Sequence, residues 1–265
     1  MKRWLPFVKS GPTVAVLRLN GAIGLGGRMA LSDTSLAPLI EKVFKRGKPD
    51  AVALEINSPG GSPVQSSLIA GRIRRQAAEK NIPVIAFVED VAASGGYWLA
   101  SAADEIYADH SSIIGSIGVI SAGFGANVFL ARQGLERRVH TAGASKSFLD
   151  PFQPEKEEDV VRLRRLLDQL HVNFISQVKE RRGAKLADNR DLFTGEIWVG
   201  ETAQEVGLID GIGHLDQVMK DRFGDKVKFR RYGRGRSLAQ RLGLSLAEDA
   251  LGLIEERAAY ARFGL

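Results

Sequence analysis

Ser94 stands among alanines and glycines in the stretch VEDVAASGGYWLASAADEIYAD, residues 88–109. Before it, Val84–Val88 is an apolar run of strand length; after it, the spacing of Tyr97, Leu99 and Ala100 suits a helix over Gly95–Ala102. A serine at such a junction serves as a turn, a helix cap or a nucleophile. The Gly-x-Ser-x-Gly elbow of α/β-hydrolases requires glycine where Ala92 stands, which disfavours that fold. Gly95 does follow the serine, and a backbone N–H just after a nucleophile is a natural half of an oxyanion hole. The other half is sought in NSPGG, residues 57–61, where Pro59 fixes one torsion and Gly60–Gly61 opens conformations closed to other residues. Alone, PGG is an ordinary tight turn. Beside Ser94 it offers Gly61 as the second donor of an acyl-transfer site.

A serine hydroxyl needs a base. Each of the four histidines, His110, His140, His171 and His214, reads as structural, because none sits in a recognisable catalytic setting. A lysine must be neutral to accept a proton, which requires desolvation. Lys146, in TAGASKSFLDPF, is set among small residues, serines and Phe148 with no cation nearby. On context alone it reads as a surface-loop lysine.

Strand-like runs at Val14–Leu19, Ala51–Ile56, Val84–Val88 and Glu105–Ala108 alternate with helix-like stretches at Thr34–Lys45 and Pro63–Asn81. This alternation predicts an α/β fold of βα units around a mostly parallel sheet. Both glycine turns follow strands, and ligands of open α/β sheets bind at the carboxyl ends of strands, so both point to one place. A long amphipathic helix is expected over Glu155–Arg182, and residues 194–224 read as turn, short helix, glycine turn and second helix. The expected organisation is an N-terminal segment over 1–12, a main domain over 13–232, and a linker with an amphipathic C-terminal helix over 233–265.

Composition bounds the chemistry. The 265 residues are 44% hydrophobic and 26% charged, enough for a full core, and the absence of cysteine removes disulfides, thiolate metal sites and a cysteine nucleophile. The net charge of +6 is spread along the chain. Its densest patch, KVKFRRYGRGR over 226–236, reads as a solvated strand edge rather than a nucleic-acid or membrane site. The apolar patch Trp4–Val8 is too short for a signal-peptide core or a membrane span, leaving contact with a membrane surface as its alternative role.

INSPGGS, VAASGGYWLASAADEIYAD, GSIGVI and GASKS, in this order, resemble the signal peptide peptidase A family of serine proteases. The resemblance covers roughly Val14 to Leu215. It implies a Clp-protease/crotonase-like fold and a Ser–Lys dyad, with Ser94 as nucleophile, Lys146 as general base, Gly61 and Gly95 as oxyanion donors and Ser116 as the serine that hydrogen-bonds the lysine. The related Clp proteases use a histidine whose position here is taken by Val119. Relatives commonly have Asp directly after the lysine, whereas this chain has Ser147 and reaches an acid at Asp150. Many also carry a membrane anchor, for which this sequence shows no candidate span. No metal or cofactor is implied. The implied partners are short, apolar, extended peptides and further copies of the chain in a ring with shared sites, and the implied location is cytoplasmic, with peripheral contact at the inner face of the membrane. The alternatives are a crotonase-type acyl-CoA enzyme and an inactive membrane-organising scaffold.

Overall fold

The computed structural model describes residues 11–24, 30–143, 145–188, 190–233 and 257–265. Trp4–Val8 lies outside them, as does the expected tail helix apart from its end, where residues 257–261 are helical. Two compact units are present: Met1–Ile117 with Phe174–Leu265, and Gly118–Asn173.

The first unit is built on an eight-stranded sheet of β1 (Thr13–Asn20), β2 (Ala51–Ser58), β3 (Val84–Ala93), β4 (Glu105–Ala108), β5 (Ile113–Gly115), β6 (Ile197–Val199), β7 (Gly211–Ile212) and β8 (Lys228–Tyr232). The main order is β6-β5-β3-β2-β1-β8, with β4 beside β3 and β7 beside β4. All pairs are parallel except β5 with β6. Both faces of the sheet are covered, which is why its central strands read as continuous apolar runs. Ala15, Leu17 and Leu19 of β1 enter one core, with Leu36 and Ile40 of α1 (Asp33–Lys45) and Ile69 and Ile73 of α2 (Pro63–Lys80). The alternate residues Val14 and Val16 enter a second core with Phe87, Leu215 and Met219, the last two from the helix Leu215–Phe223. The basic stretch near residue 230 forms β8 at the end of the main strand order, as the charge pattern predicts.

β3 departs from the sequence reading in a way that matters for the site. The apolar run suggests an end at Val88, yet the strand continues to Ala93. Ile56 pairs with Val88 but Ser58 pairs with Ala92, so extra residues bulge out around Glu89–Val91. Beyond the bulge β3 exchanges β4 for β5 as its neighbour. Burial, and then the nearby Glu55 carboxylate, push the Glu89 carboxyl above its usual range, against the pull of Arg18.

The second unit holds α4 (Asn127–Arg132) and the start of α5 (Glu157–Arg182), which continues into the first unit. Within it Arg137 bonds Asp150 at 3.3 Å and lies over Phe152, while Arg162 approaches Asp159 at 3.7 Å and lies over Phe148. A cavity of about 830 Å³ is lined by residues including Phe124, Ser147, Leu149, Phe152 and Leu163. Many of the unit's large apolar side chains face outward, among them Phe124 at 95% exposure, Phe129, Leu135 and Val161.

Candidate active site

The bulge in β3 delivers Ser94 to the start of α3 (Gly95–Ala100). Ser94 has φ 52° and ψ −122°, a region that costs a non-glycine residue about 1–3 kcal/mol and persists only where surrounding structure dictates it. Here the Ser94 N–H donates to the Gly115 carbonyl at 2.8 Å, and the Ser94 carbonyl accepts the Trp98 N–H at 3.0 Å. Its side chain does not cap the helix. The cap reading of this serine is thereby set aside.

Tertiary contacts anchor α3. Tyr97 is fully buried and its hydroxyl donates to the Leu208 carbonyl at 2.7 Å; burial pushes that phenol above its usual range. Trp98 stacks on Phe174 with ring centroids 4.8 Å apart. Arg181 donates to the carbonyls of Ser101 and Ala103, just past the end of α3, at 3.1 and 3.0 Å. These contacts leave the first turn of α3 little freedom relative to the sheet.

The NSPGG turn lies directly against Ser94. Gly60 has φ 99°, and a methyl group placed on it would lie 2.8 Å from Gly95 N and from Ser94 Cβ. Gly61 has φ 143°, and a methyl group there would collide with the Ile23 carbonyl. The Ile23 N–H donates to Gly60 O at 2.8 Å, and the Ser62 N–H donates to Ile23 O at 2.8 Å. A trans peptide points its C=O and N–H in opposite directions, so engaging Gly60 O with Ile23 turns the Gly61 N–H away from Ile23. A methyl group on Gly95 would lie 3.3 Å from Gly61 N, which places the two turns in contact. Neither the Gly61 nor the Gly95 N–H has an acceptor among the described residues. Two unpaired amides beside a strained serine are what a developing oxyanion requires.

Ser116 follows Gly115 in the first unit, with φ 50° and its N–H donating to Glu196 O at 2.7 Å. Lys146 belongs to the second unit, where it is exposed and its N–H closes a turn onto Gly143 O at 3.1 Å. Val119 also lies in that unit. His110 pairs with Glu201 and His214 with Asp109, each at 2.8 Å on the surface. Among the described residues no group of three or more acidic or histidine side chains is arranged to hold a metal ion. The sequence reading missed Ser58, whose hydroxyl braces the glycine turn; its one local signal was its place immediately before PGG.

A strand–bulge–helix junction facing a glycine turn at the end of the neighbouring parallel strand defines the class, a Clp-protease-like α/β fold. Residues 76–226 match peptidase family S49. The chain belongs to that family. It is 48% identical over its whole length to part of the protein named Na(+)/H(+) antiporter NhaA of Brucella melitensis, of which it spans 39%. It is 32% identical to the putative protease slr0021 of Synechocystis sp., over 76% of this chain and 69% of that one. A solved structure of a membrane-bound stomatin-specific protease with a substrate peptide superposes with a TM-score of 0.52 at 16% identity, covering 91% of this chain and all of the other. Among the described residues no helix is long and apolar enough to cross a membrane.

Proposed function

We propose that this chain is a serine endopeptidase in which Ser94 is the nucleophile and Lys146 the general base. The observation that carries the reading is the juxtaposition of the unpaired Gly61 and Gly95 amides at a serine held at positive φ. In this mechanism neutral Lys146 takes the Ser94 proton while Oγ attacks the scissile carbonyl. The two amides donate to the oxyanion, and the lysine returns the proton to the departing amine. Water then repeats the sequence on the acyl-enzyme. Ser116 holds the lysine in place.

The substrates are short, apolar, extended peptides such as cleaved signal peptides or unfolded segments; a protein of like fold has been solved with a substrate peptide. The second unit, which carries both Lys146 and the outward-facing Phe124, Phe129 and Leu135, docks on a further copy of the chain, so that serine and lysine of one site come from two subunits. The assembly works in the cytoplasm, peripheral to the inner face of the membrane.

The test compares wild type, Ser94→Ala and Lys146→Ala, matched for oligomer size, on a library of apolar peptides between about pH 6 and about pH 10. Cleavage by wild type alone is expected. Equal cleavage by all three, or none by wild type, overturns the assignment.

A further inference from the structure

We propose that Ser58 is a positioning residue whose hydroxyl orients the Gly60–Gly61 turn and, through it, the amide that receives the oxyanion. The proposal rests on the reading of Ser94 as nucleophile. Ser58 ends β2 and is fully buried. Its Oγ donates to the Gly21 carbonyl at 2.7 Å and accepts the Gly60 N–H at 3.3 Å. A hydroxyl has one proton and two lone pairs, so spending the proton on Gly21 leaves a lone pair for Gly60.

That bridge joins two segments which meet again on either side. The Gly21 N–H donates to Asn57 O at 2.9 Å, and the Ile23 N–H donates to Gly60 O. Gly60 N–H, Gly60 C=O and Ser62 N–H are therefore all engaged, and the Gly61 N–H between them has no acceptor among the described residues. Ser58 bears on the second donor as well: its carbonyl and Cβ lie against Gly96, next to Gly95. One buried residue thus contacts the immediate neighbour of each donor, Gly60 beside Gly61 and Gly96 beside Gly95.

Alanine at this position removes the buried partner of Gly60 N–H and the hydroxyl donor to Gly21 C=O, a state that folded proteins avoid. Rotation of the Gly60 peptide, or entry of a water, restores hydrogen bonding at the expense of the Gly61 direction. Threonine adds a methyl group in a space already crowded by Gly96, so cysteine is the conservative replacement.

Wild type and Ser94→Ala are assayed first, to establish the peptidase reaction independently. Ser58→Ala and Ser58→Cys are then compared by steady-state kinetics and by affinity for a peptide aldehyde, whose adduct forms on Ser94 and fills the oxyanion site. Affinity for an uncleaved peptide is measured in the Ser94→Ala background, and amide exchange over residues 58–62 is followed. For Ser58→Ala, kcat falls about 10- to 100-fold with KM within about twofold, and aldehyde affinity falls in parallel. Uncleaved-peptide affinity is unchanged, exchange at Gly60 accelerates, and Ser58→Cys is intermediate. Full kcat in Ser58→Ala, or equal losses of aldehyde and peptide affinity, overturns the proposal. Should Ser58→Ala fail to fold, the same criteria apply to Ser58→Cys. Should wild type fail to cleave, unchanged protection of Gly60 in the variant overturns the positioning role by itself.

Discussion

Gly96→Ala isolates the close approach between α3 and the end of β2. Gly96 is not among the positive-φ glycines, so alanine brings no backbone penalty and any loss is steric. Its methyl group would collide with the Ser58 carbonyl oxygen and lie 3.1 and 3.2 Å from Ser58 C and Cβ. None of these atoms ends a flexible side chain, and Tyr97 and Trp98 anchor the helix to Leu208 and Phe174. Ordinary contact is restored only after a shift of about 1 Å, and such overpacking costs about 1–3 kcal/mol. The shift separates Gly95 from Gly61, and a misplacement of that size lowers turnover about 100-fold. Urea unfolding gives the first quantity as a lower midpoint at constant slope, and kcat on a cleaved peptide gives the second. Gly71→Ala is the control: its methyl group would meet only the Arg75 Nη1 atom, at 3.4 Å, so helix propensity raises stability by about 0.5–1 kcal/mol. Wild-type stability and turnover in Gly96→Ala would refute the packing argument.

Tyr97→Phe withdraws the hydroxyl donor from the buried Leu208 carbonyl and lowers stability by about 1–2 kcal/mol in thermal or urea unfolding. Burial disfavours the Asp210 carboxylate, but donors from Arg182 and Lys185, each at 2.6 Å, and from Ile106 N–H at 2.7 Å prevail and hold its carboxyl below the usual range. Its contribution is therefore fully present above an unfolded pKa of about 4 and is lost as pH falls through the folded value. Asp210→Asn, which leaves the buried Arg182 without its carboxylate, destabilises by about 3 kcal/mol near neutral pH, and the gap in Tm from wild type narrows below about pH 4. Mixed assemblies of Ser94→Ala and Lys146→Ala subunits recover about a quarter of wild-type activity where sites are shared between neighbours in a ring; absence of recovery after verified mixing rules out the shared site.

Local chemistry explains what could be read early. Ser94, Gly95 and Gly61 stand in short windows of small residues after apolar runs, and a strand-to-helix junction or a glycine turn is a property of its immediate neighbours. The apolar runs of β1 to β3 and the helix periods of α1 and α2 were legible for a similar reason, because a sheet buried on both faces leaves a continuous signal. β5, β6 and β7 were not, since strands of three, three and two residues carry too little periodicity. Glu89 and Asp90 made β3 look finished at Val88, whereas they belong to the bulge that carries the strand on to Ser94.

By itself, then, the sequence determined the residue types at the proposed site and the α/β alternation that sets both turns at strand ends. Only the tertiary structure decided that Gly61 and Gly95 meet, that Ile23 aims the Gly61 amide, and that Ser58 ties Gly21 to Gly60. The hydroxyl of Tyr97 reaches a carbonyl 111 residues away, and that of Ser58 reaches one 37 away. Such partners are chosen by strand order and register, which depend on the packing of the whole sheet and leave no trace in any short window of residues.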